Sequence, residues 1–244
     1  MIIDRTGVKN QARELISTSK PSMLVAGLLY TLLSALVAWL SLRLTGIDTE
    51  TMARLAESYA AGNTELMMRL LERAMPTGLE SLVDILLRLA AYVVGVGFVI
   101  FTINSIRQTE PVLGNLLDGF GMLGRILLLM FLEYFFISLW SLLFVIPGII
   151  AAYRYSFAVY LLIDHPEMSP MDCIRESKRL TSGYKKQLFM LDLSFILWQL
   201  LSWVPIIGYA VEIYLLPYTE TSRVLYYEQI CGKAMRYSAE YAEP

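Results

Sequence analysis

Six ionisable residues stand inside long apolar runs: Asp84, Arg88, Glu133, Arg154, Asp192 and Glu212. A charge in hydrocarbon is costly, so such groups face the interior of a helical bundle and find partners there, or they line a path for an ion or a solute. Asp84 and Arg88 are four residues apart with the acid first, the favourable order for a pair on one helix. Arg154 follows Pro147 by seven residues, and Glu212 follows Pro205 by seven. At 1.5 Å per helical residue both lie about 10 Å from the turn those prolines mark. The matched depth predicts an Arg154–Glu212 pair in the outer half of the bilayer, entered from the same face by Asp84 and Arg88. The four would fix helix register as buried ion pairs, line a solute or ion pathway, or snorkel to the surface. Glu133 and Asp192 precede the same two prolines by fourteen and thirteen residues. At one level they would repel, so they point apart, or one is protonated, or a cation lies between them. In another reading, Asp192 reaches back to Lys185.

Other reactive side chains lack company. His165 stands in Asp164-His165-Pro166-Glu167 and reads as a turn residue; as the single histidine it cannot build a zinc site. Ser156, Ser194, Cys173 and Cys231 have no base at a readable spacing, and no glycine-rich phosphate loop is present. No enzyme, cofactor or metal is expected. With a formal net charge of -2, neither is a nucleic-acid partner.

The elements that must position these residues are transmembrane helices. The chain has 244 residues, 56% hydrophobic and 17% charged, with the apolar residues in long runs. About 20 apolar residues make a span. The runs give six: 22–44, 81–106, 124–146, 149–163, 187–204 and 206–225. The last four form two hairpins, turning at Pro147-Gly148 and at Pro205 to Gly208, since proline lacks a donor and glycine tolerates a tight turn. The hairpins enter from the same side, a weak internal repeat. No span shows a clear break at mid-membrane. The first run begins too late and runs too long for a cleavable signal, so it is expected to target the chain as a span.

Lysine and arginine set the orientation. The N-terminal arm, the second and fourth loops and the tail carry fourteen; the opposite side carries Arg54, Arg69 and Arg73. Both termini are therefore expected in the cytoplasm, where the cysteines stay reduced. Residues 1–230 read as one helical membrane domain and 231–244 as a polar, loosely ordered tail. Gly7 to Ser17 has helical apolar spacing and is expected to lie on the inner leaflet. In the outer loop 45–80, Asp48 can cap a helix over 49–61, Gly62-Asn63 interrupts, and a second helix over 64–75 carries the apolar stripe Leu66, Met67, Leu70 and Leu71. That stripe packs on the bundle or headgroups, or takes a partner. Residues 112–123 read as an interfacial segment. In the cytoplasmic loop 164–186, Ser169-Pro170 starts a helix. Its residues Met171, Ile174 and Leu180 are expected to face the bilayer. Arg175, Lys178, Arg179, Lys185 and Lys186 either contact anionic lipid headgroups or serve only the inside-positive bias.

One stretch is more specific than any periodicity. It runs Ile146-Pro147-Gly148-Ile149-Ile150-Ala151-Ala152-Tyr153-Arg154-Tyr155-Ser156, then Asp164-His165-Pro166 and Glu176-Ser177-Lys178-Arg179-Leu180. It continues through Leu188-Phe189 and Leu191-Asp192-Leu193-Ser194-Phe195-Ile196 to Pro217-Tyr218. It resembles the bacterial integral membrane family known as domain of unknown function 975. The resemblance implies a multi-span bundle and no assigned chemistry. A more distant likeness is to the membrane domain attached to some glycerophosphodiester phosphodiesterases, whose catalytic domain is absent here. Two function classes follow: an accessory or scaffold protein of the bilayer, with a protein partner or second copy as candidate company, and a small-solute or ion transporter using the intramembrane charges.

Overall fold

The computed structural model describes residues 3–44, 49–74, 77–202 and 207–240. Every regular element among them is helical. In order these are α1 (Arg5–Thr18), α2 (Met23–Leu44), α3 (Thr49–Ala60), α4 (Thr64–Ala74), α5 (Gly78–Arg107), α6 (Asn115–Asp118), α7 (Leu123–Leu143) and α8 (Val145–Tyr155). They continue as α9 (Ala158–Asp164), α10 (Pro170–Leu180), α11 (Lys185–Leu193), α12 (Ile196–Leu201) and α13 (Ile207–Glu240). Four stretches are long and apolar enough to cross a membrane: Met23–Leu44, Gly78–Arg107, Asn115–Leu143 and Val145–Asp164. The chain is an all-α membrane protein.

The chain forms two compact units, Thr31–Tyr92 and the remainder. In the smaller unit the two expected helices α3 and α4 form, and they pack together. Gly62 takes the left-handed conformation (φ 67°), and Asn63 Oδ1 accepts from the Leu66 N–H at 3.0 Å to cap α4. Leu66 and Leu71 of the apolar stripe stay exposed in this unit. The Asp48 cap lies outside the described residues.

In the larger unit the first hairpin turns three residues earlier than Pro147. Phe144 is extended, and Pro147 sits in the first turn of α8. Proline is at home there, because first-turn N–H groups have no intrahelical acceptor to lose. Gly148 lets α8 close on α7: a Cβ would strike the Ser141 side chain. Residues 115–122 run directly into α7, and a Cβ on Gly97 of α5 would strike the Leu116 carbonyl, so this segment packs on α5.

Two amphipathic helices depart from expectation. In α1, Val8, Ala12 and Ile16 are buried and the helix packs along α13. In α10, Ile174 and Leu180 are buried, with contacts to α7, α8 and α9. Both apolar stripes face protein, whereas the sequence pattern pointed them at lipid. The period reveals that a helix has an apolar face but not what covers it.

The expected fifth span is two helices, α11 and α12; the proline turn after it lies outside the described residues. Helix α13 continues past the expected sixth span to Glu240, so 231–240 is helical where a loose tail was expected. Residues such as Lys233, Ala234, Met235 and Arg236 are good helix formers, and no proline stops them.

Candidate functional site

Two helices break in the same way. Between α8 and α9 the break falls at Ser156-Phe157; between α11 and α12 it falls at Ser194-Phe195. Phe157 has φ -103° and ψ 1°, Phe195 φ -101° and ψ -10°, and both rings are about 1% exposed. Each serine hydroxyl bends back onto its own helix: Ser156 Oγ donates to the Tyr153 carbonyl at 3.1 Å, Ser194 Oγ to the Leu191 carbonyl at 2.5 Å. Such bonds compete with the helical ladder and favour a bend. These breaks overturn the expectation of uninterrupted spans. The signal was present as a Ser-Phe pair at each break, in the second helix of the first hairpin and the first helix of the second, but serine within an apolar helix is ordinary and does not by itself announce a break.

A break frees backbone groups, which need partners away from water. At the first break one side chain supplies two. Ser177 Oγ, fully buried on α10, accepts from the Phe157 N–H at 3.1 Å and donates to the Arg154 carbonyl at 2.8 Å. This is why α10 packs inward. At the second break the chain helps itself, with the Phe195 N–H donating to the Asp192 carbonyl at 2.9 Å.

A cavity of about 350 Å³ lies at the first break, lined by Tyr153, Ser156, Phe157, Tyr160, Asp192 and Arg223 among others. Asp192 accepts three hydrogen bonds from two side chains. Arg223 Nε and Nη2 reach its two oxygens at 3.0 and 2.9 Å, and the Tyr153 hydroxyl donates to Oδ2 at 2.9 Å. The Tyr160 hydroxyl donates to Glu220 Oε1 at 2.9 Å. The network thus ties α8, α9, α11 and α13 together. A second network joins the ends of α5 and α9 to the middle of α13. Arg107 grips Asp164 with Nη1 and Nη2, both at 2.8 Å, and donates from Nε to Glu228 at 2.7 Å. The Tyr227 hydroxyl adds a bond to Asp164 at 2.8 Å. Arg125 donates to the Pro166 and Met168 carbonyls, fastening the start of α7 to the loop after α9.

The sequence-derived candidates divide. Asp84 and Arg88 pair at 2.9 Å within their helix. Arg154 and Glu212 do not meet. The Arg154 guanidinium lies 6.0 Å from the Trp140 ring centroid, and Glu212 is exposed without an ion-pair partner among the described residues. Equal spacing from a proline fixes neither the turn, which falls at Phe144 in the first hairpin, nor the direction around the helix axis. Asp192 pairs with Arg223, not Lys185. Glu133 is half-buried on α7 and has no ion-pair partner among the described residues. On α10, Arg175 pairs with Asp172 at 3.0 Å and Arg179 with Glu176, its Nε 2.8 Å from Oε2; Lys178 is exposed. Lys185 and Lys186 open α11. His165 Nδ1 lies 3.1 Å from Glu167 in an exposed turn.

The sequence reading missed Arg223, Tyr153, Tyr160, Glu220, Arg107, Asp164 and Glu228. Arg223 and Arg107 were counted only as inner-face charges. The usable signal was the Glu220–Arg223 spacing of three, which puts two polar groups on one helix face. Outside the spans, burial pushes the Cys231 thiol up to about 11, leaving it an inert thiol. Burial and the neighbouring Arg13 and Arg5 charges lower the Lys9 ammonium.

A model of the family described as "Protein of unknown function (DUF975)" matches residues 22–234. The chain belongs to that family. Both networks and both helix breaks lie inside the matched region, whereas α1 precedes it. No curated protein and no solved structure matches the chain. The likeness to the membrane domain of glycerophosphodiester phosphodiesterases finds no support in these comparisons.

Proposed function

We infer that this member of the family is a six-span protein of the bacterial cytoplasmic membrane, with both termini in the cytoplasm, acting as a non-catalytic accessory or scaffold protein. One observation carries the reading: the acids of the two networks are each committed to fixed partners, while Glu133, Arg154 and Glu212 lie outside both networks. Asp192 is saturated by Arg223 and Tyr153, Glu220 holds Tyr160, and Asp164 is gripped by Arg107 and Tyr227. Groups held in this way give fixed register and are poor stations for a moving ion. In this reading α11–α12 and α13 supply the last two spans. The exposed apolar tip of the first hairpin, from Leu142 to Ile146, meets lipid, a partner protein or a second copy. The basic rim of Arg175, Lys178, Arg179, Lys185 and Lys186 meets anionic headgroups.

A second reading, small-solute or ion transport, is favoured by the two broken helices beside a polar cavity, because irregular backbone at membrane depth is tolerated where it lines a cavity. Purified protein in liposomes separates the two. The accessory reading expects ion leak and solute uptake equal to those of empty vesicles. A flux that Asp192→Asn abolishes would establish the second reading.

A further inference from the structure

The C-terminal part of α8 and the N-terminal part of α11 form an open groove of about 600 Å³. Its lining combines three cations, Arg154, Lys185 and Lys186, with the apolar side chains of Ile149, Ile150 and Phe189. No carboxylate lines it, and none of the three cations has an ion-pair partner among the described residues. Asp192, in the site described above, already has Arg223 and Tyr153 on its two oxygens. We propose that this groove is a binding site for one anionic phospholipid, its phosphate held by Arg154, Lys185 and Lys186 and its acyl chain laid along Ile149, Ile150 and Phe189.

Three features make it a built site and not a stretch of rim. The cations converge from two helices because Ser177 fastens the end of α8 to α10 through the Arg154 carbonyl, and Gly183, in the left-handed conformation at φ 86°, turns the chain into α11. Three cations with no counter-charge in the lining are electrostatically incomplete, and a phosphate completes them through charge-assisted hydrogen bonds. The apolar wall is itself exposed, with Ile149, Ile150 and Phe189 each more than 40% open, and it belongs in part to a stretch apolar enough to cross a membrane. A water-soluble anion would leave that wall uncovered, whereas a lipid covers it and answers the charge together. The site rests on the membrane reading above but uses only part of the basic rim, and it leaves Arg175, Lys178 and Arg179 outside.

The test uses the full chain, reconstituted in vesicles of equal phosphatidylglycerol and phosphatidylcholine, extracted in mild detergent and weighed by native mass spectrometry. Wild type is expected to retain one phosphatidylglycerol per chain in preference to phosphatidylcholine. Arg154→Gln with Lys185→Gln and Lys186→Gln is expected to weaken retention about a hundredfold, at about fivefold per contact. Arg175→Gln with Lys178→Gln and Arg179→Gln, equal in charge lost, is expected to retain it. Should the groove triple fail to fold, Ile150→Trp keeps every charge, fills the wall, and is expected to lose the lipid by sterics. Wild-type retention in either groove variant, equal loss in both triples, or no preference for phosphatidylglycerol would overturn the site. Solute flux through the wild type would overturn the accessory reading and leave lipid retention unaffected, so the two failures are distinct.

Discussion

Replacing Ser177 by alanine isolates the bond that makes the first helix break tolerable. The hydroxyl serves two backbone groups at once, the Phe157 N–H and the Arg154 carbonyl, and neither the serine nor the phenylalanine is more than about 1% exposed. Alanine fills nearly the same space, so no large cavity confuses the result. It leaves a buried donor and a buried acceptor without this partner. Each orphaned group costs about 1–3 kcal/mol. The carbonyl also receives a longer bond from Thr181 Oγ1 at 3.4 Å, which offsets part of its loss. The expected destabilisation is therefore about 3 kcal/mol. At about 3 °C per kcal/mol for a chain of this size, thermal unfolding in detergent should fall by about 9 °C. The matched control is Ser182→Ala, an exposed position two residues past α10, expected within about 0.5 kcal/mol of wild type. If Ser177→Ala unfolds within 2 °C of wild type, on the order of the 2–4 °C that one kcal/mol shifts such a chain, the break does not depend on this hydroxyl and the reasoning fails.

Further expectations concern pairing, packing and pH. Asp192→Leu and Arg223→Leu should each destabilise by about 2–3 kcal/mol, and the double variant should recover at least half of the summed loss, because the stranded charge is what costs; additive losses in denaturant titrations would refute the pair. Gly97→Ala, ordinarily stabilising in a helix by about 1 kcal/mol, should instead cost about 1–3 kcal/mol, because the new Cβ meets the Leu116 carbonyl; a raised melting temperature would show that the contact yields. The Ser169 hydroxyl, and secondarily Arg175, hold the Asp172 carboxyl below its ordinary value of 3.8. A depressed acid stabilises the fold above its unfolded value, and that contribution is lost as pH falls through the lower folded value. Ser169→Ala should therefore flatten the acid limb of the stability profile, and an unchanged limb would count against the capping bond.

The legible part of the fold was what hydrocarbon imposes on composition. The first three long runs became α2, α5 and α7 within a few residues, and Gly62-Asn63 separated α3 from α4, because length, apolarity and left-handed turns are properties of single segments. The site was less legible because each partner choice is decided by rotation about helix axes. Arg154 and Glu212 are equally spaced from their prolines yet do not meet, while Asp192 finds Arg223 thirty-one residues away on α13, which no local spacing encodes. The inward turn of α10 was hidden for a related reason. An amphipathic stripe facing lipid and one facing a bundle have the same period. What distinguished them was Ser177, a polar residue in the middle of the buried face, placed to answer backbone groups that a helix break in another segment had freed.

In the proposed topology the two networks and the basic groove share one face of the membrane, the cytoplasmic one. Single cysteines at Asn63, Pro166 and Glu240, each in a Cys173→Ala, Cys231→Ala background, test this with an impermeant thiol reagent on intact cells. The arrangement predicts external labelling at Asn63 alone, with Pro166 and Glu240 labelled only after the membrane is opened. External labelling at Pro166 would contradict it.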